Sequence, residues 1–281
     1  MPVSTKARLS PLFALAALAV SGCSASLQGA SREDLPTTLP AAPEQVLPAS
    51  AQQGATDRQT ADQQSADQTP ITELVDSSWL DTTAETTEIP RRVLAAYAGA
   101  SLRVAQTYPE CRLGWNTIAG IGAVETLHGT YRGSSTDHDG NVTPKIFDPS
   151  LDGSPGVMAI EDSDQGELDD DIEWDRAVGP LQFIPSTWDY IGQDGNADGK
   201  RDPHHIDDAA LTTAVYLCQG QRDTSTDEGW QRGVLAYNRS VAYANQVAQH
   251  AETYGQASPT AETTSAENTS AAATTGAATS P

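Results

Sequence analysis

Apolar residues recur at helical spacing through the middle of this chain and thin out towards both ends. Pro90, with no N–H to leave unsatisfied, suits a first helical position, and Leu94, Tyr97, Ala98, Ser101 and Ala105 then share a face up to the stop at Pro109. A second helix is predicted over 116–128 and closed by Gly129. A short one starts at Pro185 and Ser186 and carries Trp188 and Tyr190. Asp207 or Asp208 is placed to cap the next, whose stripe of Leu211, Ala214, Val215 and Cys218 ends at Gly220. Two more follow, one with Trp230, Val234 and Tyr237 on a face, the other with Val241, Ala244, Ala248 and Ala251. Between the second and third lies 130–176, rich in Gly, Ser, Asp and Pro, which reads as a long irregular insert with a hairpin at His138-Asp139-Gly140-Asn141. The pattern predicts a mainly α fold interrupted by that insert.

The ends lack such periodicity. Residues 24–88 are dominated by Ala, Gln, Thr, Ser, Pro and Asp and are expected to form a disordered tether, as is the Thr/Ala/Ser-rich tail 256–281. One compact domain is therefore expected over 89–255. At the N-terminus, Lys6 and Arg8 precede an apolar run over 11–20 and then Val20-Ser21-Gly22-Cys23, which reads as a signal peptide, 1–22. VSGC resembles a bacterial lipobox, implying lipidation of Cys23, anchoring to the outer face of the cell membrane and residence in the cell envelope; ordinary signal cleavage is the alternative. In an exported chain the remaining Cys111 and Cys218 form an even pair, so a disulfide is expected, with two buried free thiols as the other reading. A net charge of −22 argues against a nucleic-acid partner and against electrostatic attraction to anionic envelope polymers. Nine acids and no Lys or Arg between 161 and 175 read either as a flap over a groove or as a solvated acidic loop.

Candidate chemistry concentrates in Gly120–Gly129, GIGAVETLHG. Glu125 falls at helical spacing from Trp115, Ile118 and Gly122 and so shares their apolar face. Burial there would favour the protonated carboxyl and prepare a proton donor near neutral pH; a partly exposed or paired Glu fits the spacing equally. With Ala177–Trp188, AVGPLQFIPSTW, and Ala236-Tyr237-Asn238, the stretch from about 89 to 254 resembles the lytic murein transglycosylases, in particular the membrane-bound B-type group and its actinobacterial lipoprotein relatives. The resemblance implies a goose-lysozyme-like fold and peptidoglycan glycan strands as substrate. It further implies that Glu125 protonates the glycosidic oxygen, that the substrate's 2-acetamido oxygen supports the oxocarbenium centre, and that Glu125 then deprotonates the muramic 6-hydroxyl to leave a 1,6-anhydromuramoyl end. Gln182 would contact the sugar or hold the catalytic carboxyl, while Tyr237 and Asn238 would orient Glu125 and the N-acetyl group. Thr126-Leu127 departs from the Ser-Asn or Ser-Gly expected of the family at this point, and His128 reads as a satisfied surface residue rather than a partner of Glu125.

Two other readings stay open. A hydrolytic muramidase needs a second carboxylate to position water, for which Asp137, Asp139 or Asp175 would serve. A non-catalytic wall-binding lipoprotein would keep the groove but not depend on Glu125. No cofactor is needed for the chemistry. A structural Ca²⁺ is a further expectation: Asp194, Asn196 and Asp198 stand at positions one, three and five of an EF-hand-like loop with Gly199 at six. His205 occupies position twelve, so closure would fall to Asp208, with Lys200 offering its carbonyl and Asp202 acting through water; an Asp/Asn/Gly turn capping a helix is the alternative.

Overall fold

The computed structural model describes residues 36–51 and 69–258. The segment read as a signal peptide, Cys23 and most of the Thr-rich tail lie outside the described residues. The helices are α1 Ser77–Thr87, α2 Arg91–Thr107, α3 Trp115–Thr126, α4 Pro185–Ile191, α5 Ile206–Cys218, α6 Asp227–Tyr237 and α7 Val241–Ala257. The strands are β1 Ser135–Thr136 and β2 Val142–Thr143, an antiparallel pair in which Ser135 faces Thr143 and Thr136 faces Val142. The architecture is mainly helical, and the predicted helices and hairpin are present.

Helix α3 forms the centre. Every residue from Trp115 to Ala123 is buried, so the helix is enclosed on all sides rather than along one stripe. The glycines of the GIG run permit this. A Cβ on Gly120 would lie 2.7 Å from the Val247 carbonyl of α7, and one on Gly122 would collide with the Tyr97 hydroxyl of α2. Trp115 packs edge-on to Trp79 at 5.6 Å, and the Trp230 indole N–H donates to Thr117 Oγ1 at 3.2 Å.

Helices α2 and α5 pack together and are tied at one end by Arg92. Its guanidinium grips both oxygens of the buried Asp207 at 2.6 and 2.8 Å and also donates to the carbonyls of His138 and Asp139, fixing the hairpin turn. Cys111 and Cys218 form a disulfide with Cα atoms 5.4 Å apart, joining the turn before α3 to the end of α5. It closes a 107-residue separation, which on the loop-entropy model stabilises by about 4 to 5 kcal/mol.

The domain begins earlier than its composition suggests. Ile71, Trp79 and Leu80 are buried in the main core, so the expected boundary at residue 89 would cut away part of it. Residues 38–50 run across α3, α6 and α7 as a strap. The Gln45 side chain accepts from Gly114 N–H, and the Val46 carbonyl accepts from Trp115 N–H. Asn245 and Gln231 donate to the carbonyls of Thr38 and Pro40. Leu39, Ala42, Val46 and Ala49 pack against the core, and hydrogen bonds to a helix start and to neighbouring side chains fix the path between them.

Smaller corrections follow from local geometry. Pro90 caps α2 rather than opening it, and α3 ends at Thr126 instead of reaching His128, because Leu127, His128 and Gly129 all take positive φ. The cap of α5 is His205, whose ring accepts from Asp207 N–H at 3.3 Å, while Asp207 and Asp208 lie in the first turn. The insert is threaded by isolated bridges, including Phe147 with Val178 and Glu161 with Trp174, and its acids mostly accept from their own backbone.

Candidate active site

The last turn of α3 delivers Glu125 into a cleft open to solvent. The cleft's walls come from the insert (Leu151, Ala177), from the segment entering α4 (Gln182, Phe183, Ile184) and from the end of α6 (Tyr237, Asn238). Among the described residues Glu125 is the cleft's single carboxylate, set in mostly apolar surroundings. Burial pushes it from its ordinary 4.5 up to about 8; a hydrogen bond from Tyr243 works against the shift, and the nearby charge of Asp148 adds to it. A carboxyl so placed holds its proton at neutral pH and can give it to a bound oxygen.

The hydrogen bond to Glu125 comes from Tyr243, whose phenol donates to Oε1 at 2.6 Å. Sequence reasoning assigned that orienting task to the Tyr237-Asn238 pair and missed Tyr243. Tyr237 lines the cleft with its ring edge-on to Phe183, but its hydroxyl donates to the Leu181 carbonyl at 2.5 Å. Asn238 also lines the cleft, and its side-chain oxygen accepts from Ser240 N–H at 3.0 Å, shaping the turn into α7. Ser240 caps that helix and places Tyr243 in its first turn. The spacing of Ser240 and Tyr243 was readable; the direction of the phenol depends on how α7 crosses α3.

Gln182 sits at the cleft in a left-handed conformation, φ 52°, and its amide donates to the Gly179 carbonyl at 2.7 Å. It stiffens the GPLQF turn and makes no direct bond to Glu125. Thr126 joins that turn to the end of α3, its hydroxyl donating to the Pro180 carbonyl at 2.6 Å and accepting from Gly129 N–H at 2.9 Å. The Leu127 that stands in place of an expected Asn or Gly takes φ 52°, where those residues meet less strain, and is exposed. His128 is no partner of Glu125: its ring nitrogens face Tyr254 at 2.9 Å and Tyr97 at 3.4 Å, and burial lowers it to about 4.

None of the carboxylates considered for a muramidase lines the cleft. Asp137 accepts from Gly140 and Asn141 in the hairpin turn, Asp139 is exposed, and Asp175 is fully buried and held by Ser163. The second carboxylate felt by Glu125 is Asp148, half-buried, its own pKa raised by burial and opposed by Arg132. Nothing in the sequence patterns singled it out.

The Asp194 loop does recruit Asp208, which is 1 % exposed. Its carboxylate accepts from the N–H groups of Gly195 (2.8 Å), Asn196 (3.3 Å) and Asp202 (2.9 Å), and burial raises it to about 6. Asp194 accepts from Asp198 and Gly199, and Asp198 accepts from Lys200. The oxygen donors are of the right kind for a hard cation. Their carboxylates are nevertheless spread apart; among the described residues the acidic side chains converging within 4.8 Å are Asp162, Asp164 and Asp175.

A family model described as a transglycosylase SLT domain matches residues 164–275. The span includes Gln182, Tyr237, Asn238 and Tyr243 and begins after Glu125. No curated protein and no solved structure gives a significant match. The match covers less than half of the chain, and over that span the chain is similar to a transglycosylase domain.

Proposed function

We propose that the protein cleaves the β-1,4 bond between N-acetylmuramic acid and N-acetylglucosamine without water, with Glu125 as acid and then base. The observation that carries this reading is a single carboxyl in a cleft whose other walls are apolar, amide or hydroxyl side chains, where burial favours its protonated form. With Tyr243 holding Oε1, the proton on the other oxygen passes to the glycosidic oxygen as the bond to C1 breaks. The substrate's acetamido oxygen shares the positive charge at C1. The muramic 6-hydroxyl then attacks C1 and surrenders its proton to the Glu125 carboxylate, restoring the acid and leaving a 1,6-anhydro end. Tyr237 and Asn238 shape the wall beside the sugar.

Hydrolysis is the second reading, favoured by the Asp148 charge that reaches Glu125. Mass spectrometry of wall glycan digested by the full chain and by Glu125→Gln decides. Anhydromuramoyl products lost in the variant are expected; hydrated reducing ends would replace the proposal with a muramidase. Glycan retained but cut by neither protein would leave a binding lipoprotein.

The same reading includes the B-type or actinobacterial subtype, export, and a lipid on Cys23. Fifteen positions separate Cys23 from the start of the strap at Thr38, and such a length reaches at most about 50 Å when fully extended. An anchored domain would therefore work close to the membrane, whereas a tether running to residue 88 would allow several times that distance. Loss of lipid label in Cys23→Ala is the expected result; unchanged labelling would remove the anchor. Ca²⁺ in the loop of Asp194, Asn196, Asp198, Lys200 and Asp208 is proposed as structural. Added calcium should raise the melting temperature, and a protein indifferent to both calcium and chelator would rule the ion out.

A further inference from the structure

A second groove, of about 1260 Å³, adjoins the catalytic cleft, and Thr187 and Tyr216 line both. Its character is the reverse of the first. Arg222, Arg232 and Arg239 line it, with the exposed ring of Tyr190 along one side, and no acid is among its lining residues. In a chain with 38 acids against 16 Lys and Arg, three guanidiniums in one groove make a local inversion of sign. Burial first and Arg232 after it disfavour the charged form of Arg222, and burial raises the Tyr216 phenol against the pull of Arg222 and Arg239. Arg222 is braced from behind, donating to the Tyr216 carbonyl at 2.8 Å, and Arg232 makes a loose, exposed contact with Glu228 at 3.6 Å. At the junction of the two grooves the buried Thr187 hydroxyl has no hydrogen-bond partner.

We infer that this groove binds the carboxylates of the peptide stem that projects from the muramic sugar while the glycan lies in the cleft beside Glu125. The inference rests on the glycan-cleaving reading above. Guanidinium forks match carboxylates in planar, two-point contacts, and clustered arginines whose mutual repulsion is unfavourable gain most when an anion arrives. A surface of net charge −22 repels an anionic polymer at long range, so a local basic wall next to the cleft supplies attraction where the strand must sit. An anionic group on muramic acid is the shared chemistry. The stem carboxylates are favoured over a 6-phosphate because the proposed reaction requires the 6-hydroxyl to be free.

The test measures binding on full-length Glu125→Gln protein, so that failure of the cleavage chemistry does not obscure it. Glycan strands with stems, strands stripped of stems by an amidase, and stripped strands bearing muramic 6-phosphate are titrated. Strands with stems should bind more tightly than stripped ones. Adding Arg232→Gln and Arg239→Gln, both at exposed positions, should weaken only the stem-bearing strands, by roughly tenfold or more. Equal affinity for stripped and stem-bearing strands, or an equal loss on both, overturns the inference; a preference only for phosphorylated strands assigns the groove to phosphate instead. An unchanged melting temperature in the double Arg variant shows that the fold is intact. In the Glu125-containing protein, anhydro or hydrated products report separately on the reaction.

Discussion

Two regions of this molecule each shield a carboxylate from solvent, Asp208 fully and Glu125 in part, and they treat it in opposite ways. In the Asp194 loop, Asp208 accepts from three backbone N–H groups, and burial raises it to about 6. In the cleft, Glu125 accepts from Tyr243 and rises to about 8. Desolvation is the leading cause in both; the number of N–H and O–H donors aimed at the charge separates the outcomes. A carboxylate ringed by peptide N–H groups is a fastener. One left nearly alone in an apolar cleft keeps its proton, and the fold bears a cost to maintain that reactivity.

The sharpest way to break the comparison is to make the same chemical change in both places. Glu125→Gln removes an acid whose folded pKa lies above its unfolded one. Below about 4.5 both states are protonated and the substitution is neutral; between 4.5 and 8 the unfolded chain ionises while the native one does not, so the native state progressively loses stability. The Gln variant escapes this. Its advantage should grow across that window to a few kcal/mol, at about 1.4 kcal/mol per pH unit, while activity is lost. Denaturant titrations at pH 4.5, 6.5 and 8.5 check it; an advantage that does not change with pH would show that Glu125 is not the strained group described here.

Asp208→Asn combines two effects of opposite sign. The amide escapes the cost that burial puts on the charge, smaller than at Glu125 because the pKa rises only to about 6, and it loses a backbone contact, which is expected to outweigh that gain. The amide keeps one acceptor but turns an NH₂ towards a buried N–H, Asp202 being the partner most exposed to loss. A destabilisation of about 1 to 3 kcal/mol is expected, with kcat little changed because the loop does not line the cleft. If the variant were as stable as the parent, the three N–H contacts would not be the fastener they resemble.

The contrast also explains what was legible beforehand. Glu125 and the helices could be read because apolar periodicity and a compact motif record them in nearby residues. Tyr243 and Asp148 could not, since each reaches Glu125 from a distant element whose crossing is a tertiary fact. The strap at 38–50 was missed for a different reason: its few core-facing side chains, Leu39, Ala42, Val46 and Ala49, stand in a Pro-containing stretch whose path is fixed by backbone and amide hydrogen bonds. The loop at Asp194 lay between these cases. Its spacing showed where Asp208 would return, and the fold shows that return made onto backbone N–H groups.

The smallest expected effect lies in Tyr243→Phe, and it bears most directly on how the cleft is tuned. The phenol stabilises the ionised carboxylate and so lowers the Glu125 pKa, against the larger push of burial. Deleting the hydroxyl should raise that pKa further, moving the alkaline limb of kcat/KM above its parent position near 8. The rate on the plateau should fall by roughly tenfold, the size expected when a hydrogen bond to a charged group is lost. Rate and limb are separable: a merely structural tyrosine would lower the rate with the limb unmoved. A limb that moved to lower pH would mean that Tyr243 instead favours the protonated acid, and the contrast with Asp208 would fail at its centre.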